Sequence, residues 1–140
     1  MVPLHPQLEK DTVPVAVWPL CRVLLMNDST YPWLILVPQR DDLREMHDLP
    51  PPDRNRLMQE MALASSLLQA ATGAEKMNVA ALGNMVPQLH IHVIARFSTD
   101  PAWPRPVWGA VPATPYTPEA LEAMLTRLRT ALTPPRPPLA

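Results

Sequence analysis

The stretch from Leu89 to Phe97 reads Leu-His-Ile-His-Val-Ile-Ala-Arg-Phe, an alternation of period two. Successive side chains of a strand point to opposite faces, so this pattern predicts a half-buried β-strand. Leu89, Ile91, Val93, Ala95 and Phe97 make one apolar face; Gln88, His90, His92 and Arg96 share the other, interrupted by Ile94. Upstream, Val15–Met26 reads as a strand. Asn27-Asp28-Ser29-Thr30 is a cluster of turn formers, and Trp33–Val37 is the next strand, stopped by Pro38. The two make a hairpin. Leu57, Met61, Ala64, Leu68 and Ala71 recur at helical spacing; the helix follows the Pro50-Pro51-Pro52 interruption, with Asp53 as N-cap and Gly73 as terminator. Asn78–Leu82 predicts another strand, with Gly83-Asn84 turning into the histidine strand. Thr117-Pro118-Glu119 opens a second helix with a cap, a first-turn proline and an acid, and Leu121, Leu125, Leu128 and Leu132 form its stripe. Shorter signals are a helix or strand lead-in at Gln7–Asp11 and a helical turn within Asp41–Asp48. Together these predict an α+β fold: an antiparallel sheet of about five strands, one long helix across a face and a C-terminal helix, with His90 and His92 on the opposite face. Residues 1–133 form a single domain, and 134–140 are a proline-rich tail, extended or frayed.

A chain of 140 residues can bury one core, and 47 % hydrophobic with 18 % charged residues is an ordinary globular composition. A net charge of −1 offers no basic surplus for nucleic acid. The one cysteine, Cys21, lies in an apolar run, which reads as a core thiol and fits a reducing compartment. No basic-then-apolar leader stands at the N-terminus, and the apolar runs are too short to span a bilayer, so a cytoplasmic protein with no membrane partner is expected.

His90 and His92 are the candidate chemistry. Same-face neighbours on a strand lie roughly 6–7 Å apart, within reach of one ligand. Partly solvated sheet histidines are one reading. A metal site is another, since His-x-His can supply two nitrogen ligands. A catalytic zinc needs a third ligand, however. His5 and His47 lie in segments without matching spacing, and there is neither a cysteine pair nor a His-Glu-x-x-His helix, so no metal or other cofactor is expected. The third reading is catalysis by imidazole, which attacks when neutral and donates a proton when charged. Asn84 can donate an amide hydrogen bond to phosphate, or be a plain turn residue. Trp103 and Trp108, in the proline-rich stretch Asp100–Gly109, offer large apolar surfaces that cover the core, a ligand or a partner subunit.

The run Leu82-Gly-Asn-Met-Val-Pro-Gln-Leu-His-Ile-His-Val-Ile-Ala-Arg96 resembles the histidine triad (HIT) family, whose pattern is His-φ-His-φ-His-φ-φ with φ apolar. The tail from His92 to Arg96 sets the register: Gln88 on the first triad position, His90 on the middle one, His92 on the last. Tyr31-Pro-Trp-Leu-Ile-Leu-Val-Pro-Gln-Arg40 is similar to the family's central strand, and Trp103-Pro104 to a C-terminal Trp-Pro segment of some members. The likeness spans roughly residues 15–110.

The resemblance implies a HIT-like fold and a homodimer in which two sheets join. It also implies a nucleotide hydrolase or nucleotidyl transferase acting at an α-phosphate of a dinucleoside polyphosphate or nucleoside phosphoramidate. His90 would be the nucleophile, and His92 would bind phosphate and handle protons near the leaving group. Gln88 cannot carry a proton charge but can orient phosphate. Asn27, at a strand end, falls where members hold a ribose hydroxyl; with Asn84 and Trp103 it completes the expected site for a purine nucleotide. A further histidine of many members aligns with Trp33, which would remove a polar group beside the nucleophile. Two alternatives stay open: a nucleotide-binding protein with little or no catalysis, and a metal-dependent enzyme using the His90–His92 pair.

Overall fold

The computed structural model describes residues 1–133; the proline-rich tail 134–140 lies outside the described residues. The chain runs α1 (Pro6–Asp11), β1 (Thr12–Val17), β2 (Cys21–Met26), β3 (Trp33–Pro38), a 3-10 turn (Met46–Asp48), α2 (Pro51–Thr72), β4 (Lys76–Ala80), β5 (Ile91–Arg96) and α3 (Pro118–Ala131). The strands form one antiparallel five-stranded sheet in the order β1-β2-β3-β5-β4. The expected α+β class and five-stranded antiparallel sheet hold. Among the described residues no helix is long and apolar enough to cross a membrane.

Several boundaries differ for local reasons. The apolar run 15–26 is two strands, folded back at Trp18-Pro19-Leu20, where the Trp18 N–H donates to the Cys21 carbonyl. Pro19, which cannot donate to a ladder, was the breaker inside that run. The prolines at 50–52 start α2 rather than interrupt the chain. Pro50 is the N-cap, and Pro51 and Pro52 occupy first-turn positions, where their missing N–H groups cost nothing. Asp53, inside that turn, pairs with Arg40 at 2.9 Å. Gly73 ends α2 at φ 72°, a left-handed conformation that favours glycine. Strand β4 starts two residues earlier than expected, and β5 ends short of Leu89 and Phe97.

Alternation divides the core between the two faces. Val23 and Leu25 of β2, Leu34 and Leu36 of β3, and Ile91, Val93 and Ala95 of β5 pack against Leu57, Ala64 and Leu68 of α2 and Leu125 and Leu128 of α3. The opposite face gathers Leu24, Trp33, Ile35, Val37 and Ile94 beneath Leu8 of α1 and Ala102 and Val107 of the segment that follows β5. β3 is buried at every position, which explains its unbroken apolar run. Glu60 sits on the α2 stripe and is also buried. Its two carboxylate oxygens accept from the N–H groups of Leu20 and Cys21 at 3.0 and 2.8 Å, capping the β1–β2 turn. Cys21 is a core thiol; burial, then the neighbouring Glu60 charge, push its pKa up.

Arg96 anchors the covering segment and is buried, so it makes no surface ion pair. Its guanidinium grips Asp100 at 2.8 and 3.1 Å. It also donates to Asn78 Oδ1 and the Arg105 carbonyl, both at 2.7 Å, and lies between the rings of Tyr31 and Trp103. Removing one partner of a buried pair strands the other charge, so Arg96→Met should lower the unfolding free energy by about 3–5 kcal/mol, read as a drop in the urea midpoint.

Candidate functional site

His90 precedes β5, and His92 lies two residues on, on the face covered by α1 and the segment after β5. Their rings stand 4.9 Å apart, centroid to centroid, at 71°. They are 7 % and 5 % exposed, which removes the reading of solvated sheet residues. Trp33 faces the same side: Ile35 pairs with His92 and Trp33 with Ile94, so the indole reaches His92 diagonally across the β3–β5 ladder. Trp108 completes the enclosure, its ring 5.1 Å from His92 and 5.9 Å from Trp33.

Hydrogen bonds set the two imidazoles in opposite states. Nδ1 of His90 lies 2.7 Å from the Gln88 carbonyl oxygen. A carbonyl only accepts, so Nδ1 carries the proton and Nε2 keeps its lone pair. Nδ1 of His92 lies 3.0 Å from Nε1 of Trp33. An indole N–H only donates, so Nδ1 of His92 is the acceptor, and the neutral ring holds its proton on Nε2. Adjacent histidines therefore offer one bare nitrogen and one N–H. Trp33, expected to remove a polar group beside the nucleophile, supplies one. Burial and the neighbouring His90 lower the His92 pKa from 6.5 to about 4, keeping the ring neutral at pH 7.

The other expected residues are distributed around this pair. Asn27 lines a cavity of about 440 Å³ with Trp33 and Trp108, beside His92; its Oδ1 accepts from the Tyr116 N–H at 3.0 Å. A second cavity, about 280 Å³, is lined by His90 with Arg44, His47 and Gly83. The Gln88 side chain holds the N-terminal segment: Oε1 accepts from the His5 N–H at 2.7 Å and Nε2 donates to the Pro3 carbonyl at 3.1 Å. Its main-chain carbonyl is what touches His90. Asn84 is exposed on the loop before β5 and lines neither cavity. Trp103 stacks on Arg96, and it is Trp108 that lies over His92. The sequence expectation of site residues omitted Trp33 and Trp108. Trp33 was findable, because the family resemblance aligns it with a histidine of many members; nothing in the local pattern separates Trp108 from Trp103. Among the described residues no three His, Cys, Asp or Glu side chains converge as metal ligands, and Nδ1 of each histidine is already engaged.

The lowered His92 pKa has a stability consequence. The unfolded ring binds a proton near pH 6.5 and the folded ring near pH 4, so the unfolded state gains protons first as pH falls. Stability from this group is complete above pH 6.5 and lost toward pH 4; between pH 7 and 5 the loss is about 2 kcal/mol. Urea unfolding at both pH values should show that slope, and His92→Gln should flatten it.

Known proteins share this fold. A family model described as the HIT domain matches residues 7–99. A histidine triad (HIT) protein from Sinorhizobium meliloti 1021 superposes with a TM-score of 0.90 at 48 % identity, covering 93 % of this chain and 96 % of the other. A histidine triad protein from Marinobacter aquaeolei VT8 gives 0.91 at 48 % identity, covering 94 % and 96 %. A hypothetical histidine triad nucleotide-binding protein from Sulfolobus tokodaii strain7 shares the fold at 15 % identity, with a TM-score of 0.67 and coverage of 88 % and 85 %. No curated protein matches the chain. Matched by that family model over residues 7–99 and by solved relatives at 48 % identity over more than nine-tenths of its length, the chain belongs to the histidine triad family.

Proposed function

We propose that this protein binds a purine nucleotide and acts as a hydrolase or nucleotidyl transferase at its α-phosphate, with His90 as nucleophile. The observation that carries this reading is the bond from Nδ1 of His90 to the Gln88 carbonyl, which leaves Nε2 bare and held in one orientation. The lone pair on Nε2 attacks the α-phosphorus, an N–P bond forms, and the bond to the leaving group breaks with its electron pair. Nδ1 keeps its proton and donates it to the Gln88 carbonyl, which stabilises the cationic nucleotidyl-imidazole. Water then attacks phosphorus: a P–O bond forms, the N–P bond breaks with its pair returning to Nε2, and the water's proton passes to solvent. His92 Nε2–H donates to a phosphoryl oxygen, where charge accumulates.

The nucleoside fits the 440 Å³ cavity, with Asn27 toward ribose and the indoles of Trp33 and Trp108 along its wall. Asn84 and Trp103 keep lesser places in this reading, on the loop and segment bordering the pair. Gln88 supports a second reading, nucleotide binding without turnover, because its side chain is bonded to Pro3 and His5 rather than free beside His90. We place the protein in the cytoplasm, where Cys21 stays reduced.

Incubation with an α-labelled dinucleoside polyphosphate, quench and intact mass separates the two. An active enzyme gives an acid-labile, base-stable nucleotidyl adduct that His90→Ala lacks, and that variant loses on the order of 10³-fold or more in kcat. Saturable binding by calorimetry with neither adduct nor product supports the binding protein.

We also propose a homodimer. β4 is an edge strand with an open ladder, and Val79 on it and Leu82 beyond it are 41 % and 51 % exposed. Sedimentation equilibrium should give twice the 15.6 kDa chain mass, and Val79→Asp should shift it toward one chain.

A further inference from the structure

We infer that Trp33, by donating to Nδ1 of His92, prevents His92 from acting as a cationic acid and thereby selects nucleotide anhydrides over nucleoside phosphoramidates. This rests on the enzymatic reading above and narrows its substrate class.

The neutral His92 ring holds its one proton on Nε2. Giving that proton to a leaving group would leave an imidazolate, far too basic to form near neutrality. To act as an acid the ring must first become a cation, and the second proton has only Nδ1 to occupy. That atom faces the indole N–H at 3.0 Å, so the cation would set N–H against N–H. The indole cannot turn away cheaply: Trp33 is buried and wedged edge-on against Tyr31, His92 and Trp108. The rings packed against His92 are His90 just before β5, Trp33 from β3 and Trp108 from the segment after β5; none brings a carboxylate to shelter a cation. An anionic substrate would favour a charged ring but would not free Nδ1.

The two substrate classes differ in what the leaving atom needs. In an anhydride the P–O bond breaks with its pair on an oxygen already stable as a phosphate or carboxylate anion, and no proton is required. In a phosphoramidate the P–N bond breaks with its pair on nitrogen, and an amide anion is not a viable product, so a proton must reach that nitrogen first. A site with a bare nucleophile and a neutral N–H donor meets only the first requirement. The cavity beside His90 is lined by Arg44, Glu45 and His47, all three exposed to solvent and none hydrogen-bonded to His90 or His92; the Arg44 guanidinium is a permanent cation that suits an anionic leaving group.

The test compares kcat/KM for a dinucleoside polyphosphate and an adenylyl alkylphosphoramidate on the same enzyme preparation, so that the active fraction cancels in the ratio. Long-range 1H–15N NMR of the His92 ring at pH 7 is recorded alongside. The expected result is a neutral, Nε2-protonated His92 and a ratio favouring the anhydride by about 100-fold or more, the worth of a missing general acid. Trp33→His, whose imidazole can accept as well as donate, should narrow that ratio by at least about tenfold. Trp33→Phe should abolish the hydrogen-bond signature at Nδ1. A cationic or Nδ1-protonated His92, comparable turnover of both substrates, or a ratio unmoved by Trp33→His overturns the inference and leaves the hydrolase reading standing. No turnover and no adduct with either substrate overturns the hydrolase reading, and the selection falls with it.

Discussion

A carbonyl oxygen can only accept a hydrogen bond, and an indole nitrogen can only donate one. The chemistry available to this protein depends on those two facts, applied 4.9 Å apart. The Gln88 carbonyl fixes the proton of His90 on Nδ1, and the Trp33 indole fixes that of His92 on Nε2. Two copies of one side chain on one sheet face become a ring with a bare nitrogen and a ring with an N–H to donate. Neither assignment needs a charged partner. That matters in a site this dry, where a charge on either ring would lose most of its hydration.

The opposed states need the second face of the sheet to be covered, and much of the remaining structure does that. An open five-stranded sheet with helices on one side would leave His90, His92 and Trp33 in water, where the indole bond would compete with solvent. Here α1 lies over one end of that face, and the segment after β5 lies over the other. Arg96 tethers that segment to β5 through Asp100 and the Arg105 carbonyl, which brings Trp108 onto His92. Asn27 and Asp28 fasten its continuation by accepting from the N–H groups of Tyr116 and Thr114. Gln88 fastens the N-terminal segment at the other margin. Polar side chains placed around the rim thus hold irregular backbone over an aromatic interior.

Periodic features of this fold were legible in the sequence. The alternation from Leu89 to Phe97 located β5, but not that both its faces are buried, since the second face is covered by segments distant in sequence. The stripe from Leu57 to Ala71 located α2, and Thr117-Pro118-Glu119 located the start of α3. Non-periodic features were not. Val15–Met26 looked continuous because both arms of the β1–β2 hairpin are apolar, and only Pro19 marked the fold-back. Glu60 fitted the α2 stripe by position but not by polarity; its role is set by two orphan N–H groups that appear only once β1 turns into β2. The pairing of His90 with a main-chain carbonyl two residues back is a local event without a residue-type signature, and the approach of Trp108 to His92 depends on an irregular loop.

Trp33 shows how a family pattern read by residue type alone misleads. By identity, tryptophan for histidine is the loss of a titratable group. By atoms, it is one nitrogen for another, with the ability to accept removed and the ability to donate kept. A histidine there can exchange roles with His92, and a proton can pass between them. The indole holds its partner in a single state. The first triad position has changed in the same sense: Gln88 cannot titrate, and its amide is bound into the N-terminal segment. Both replacements take proton mobility away from the surroundings of His90 while leaving its bare Nε2 intact. With neither neighbour able to titrate and Nε2 of His90 bare, the displacement proposed for this site is one whose leaving group departs as a stable anion.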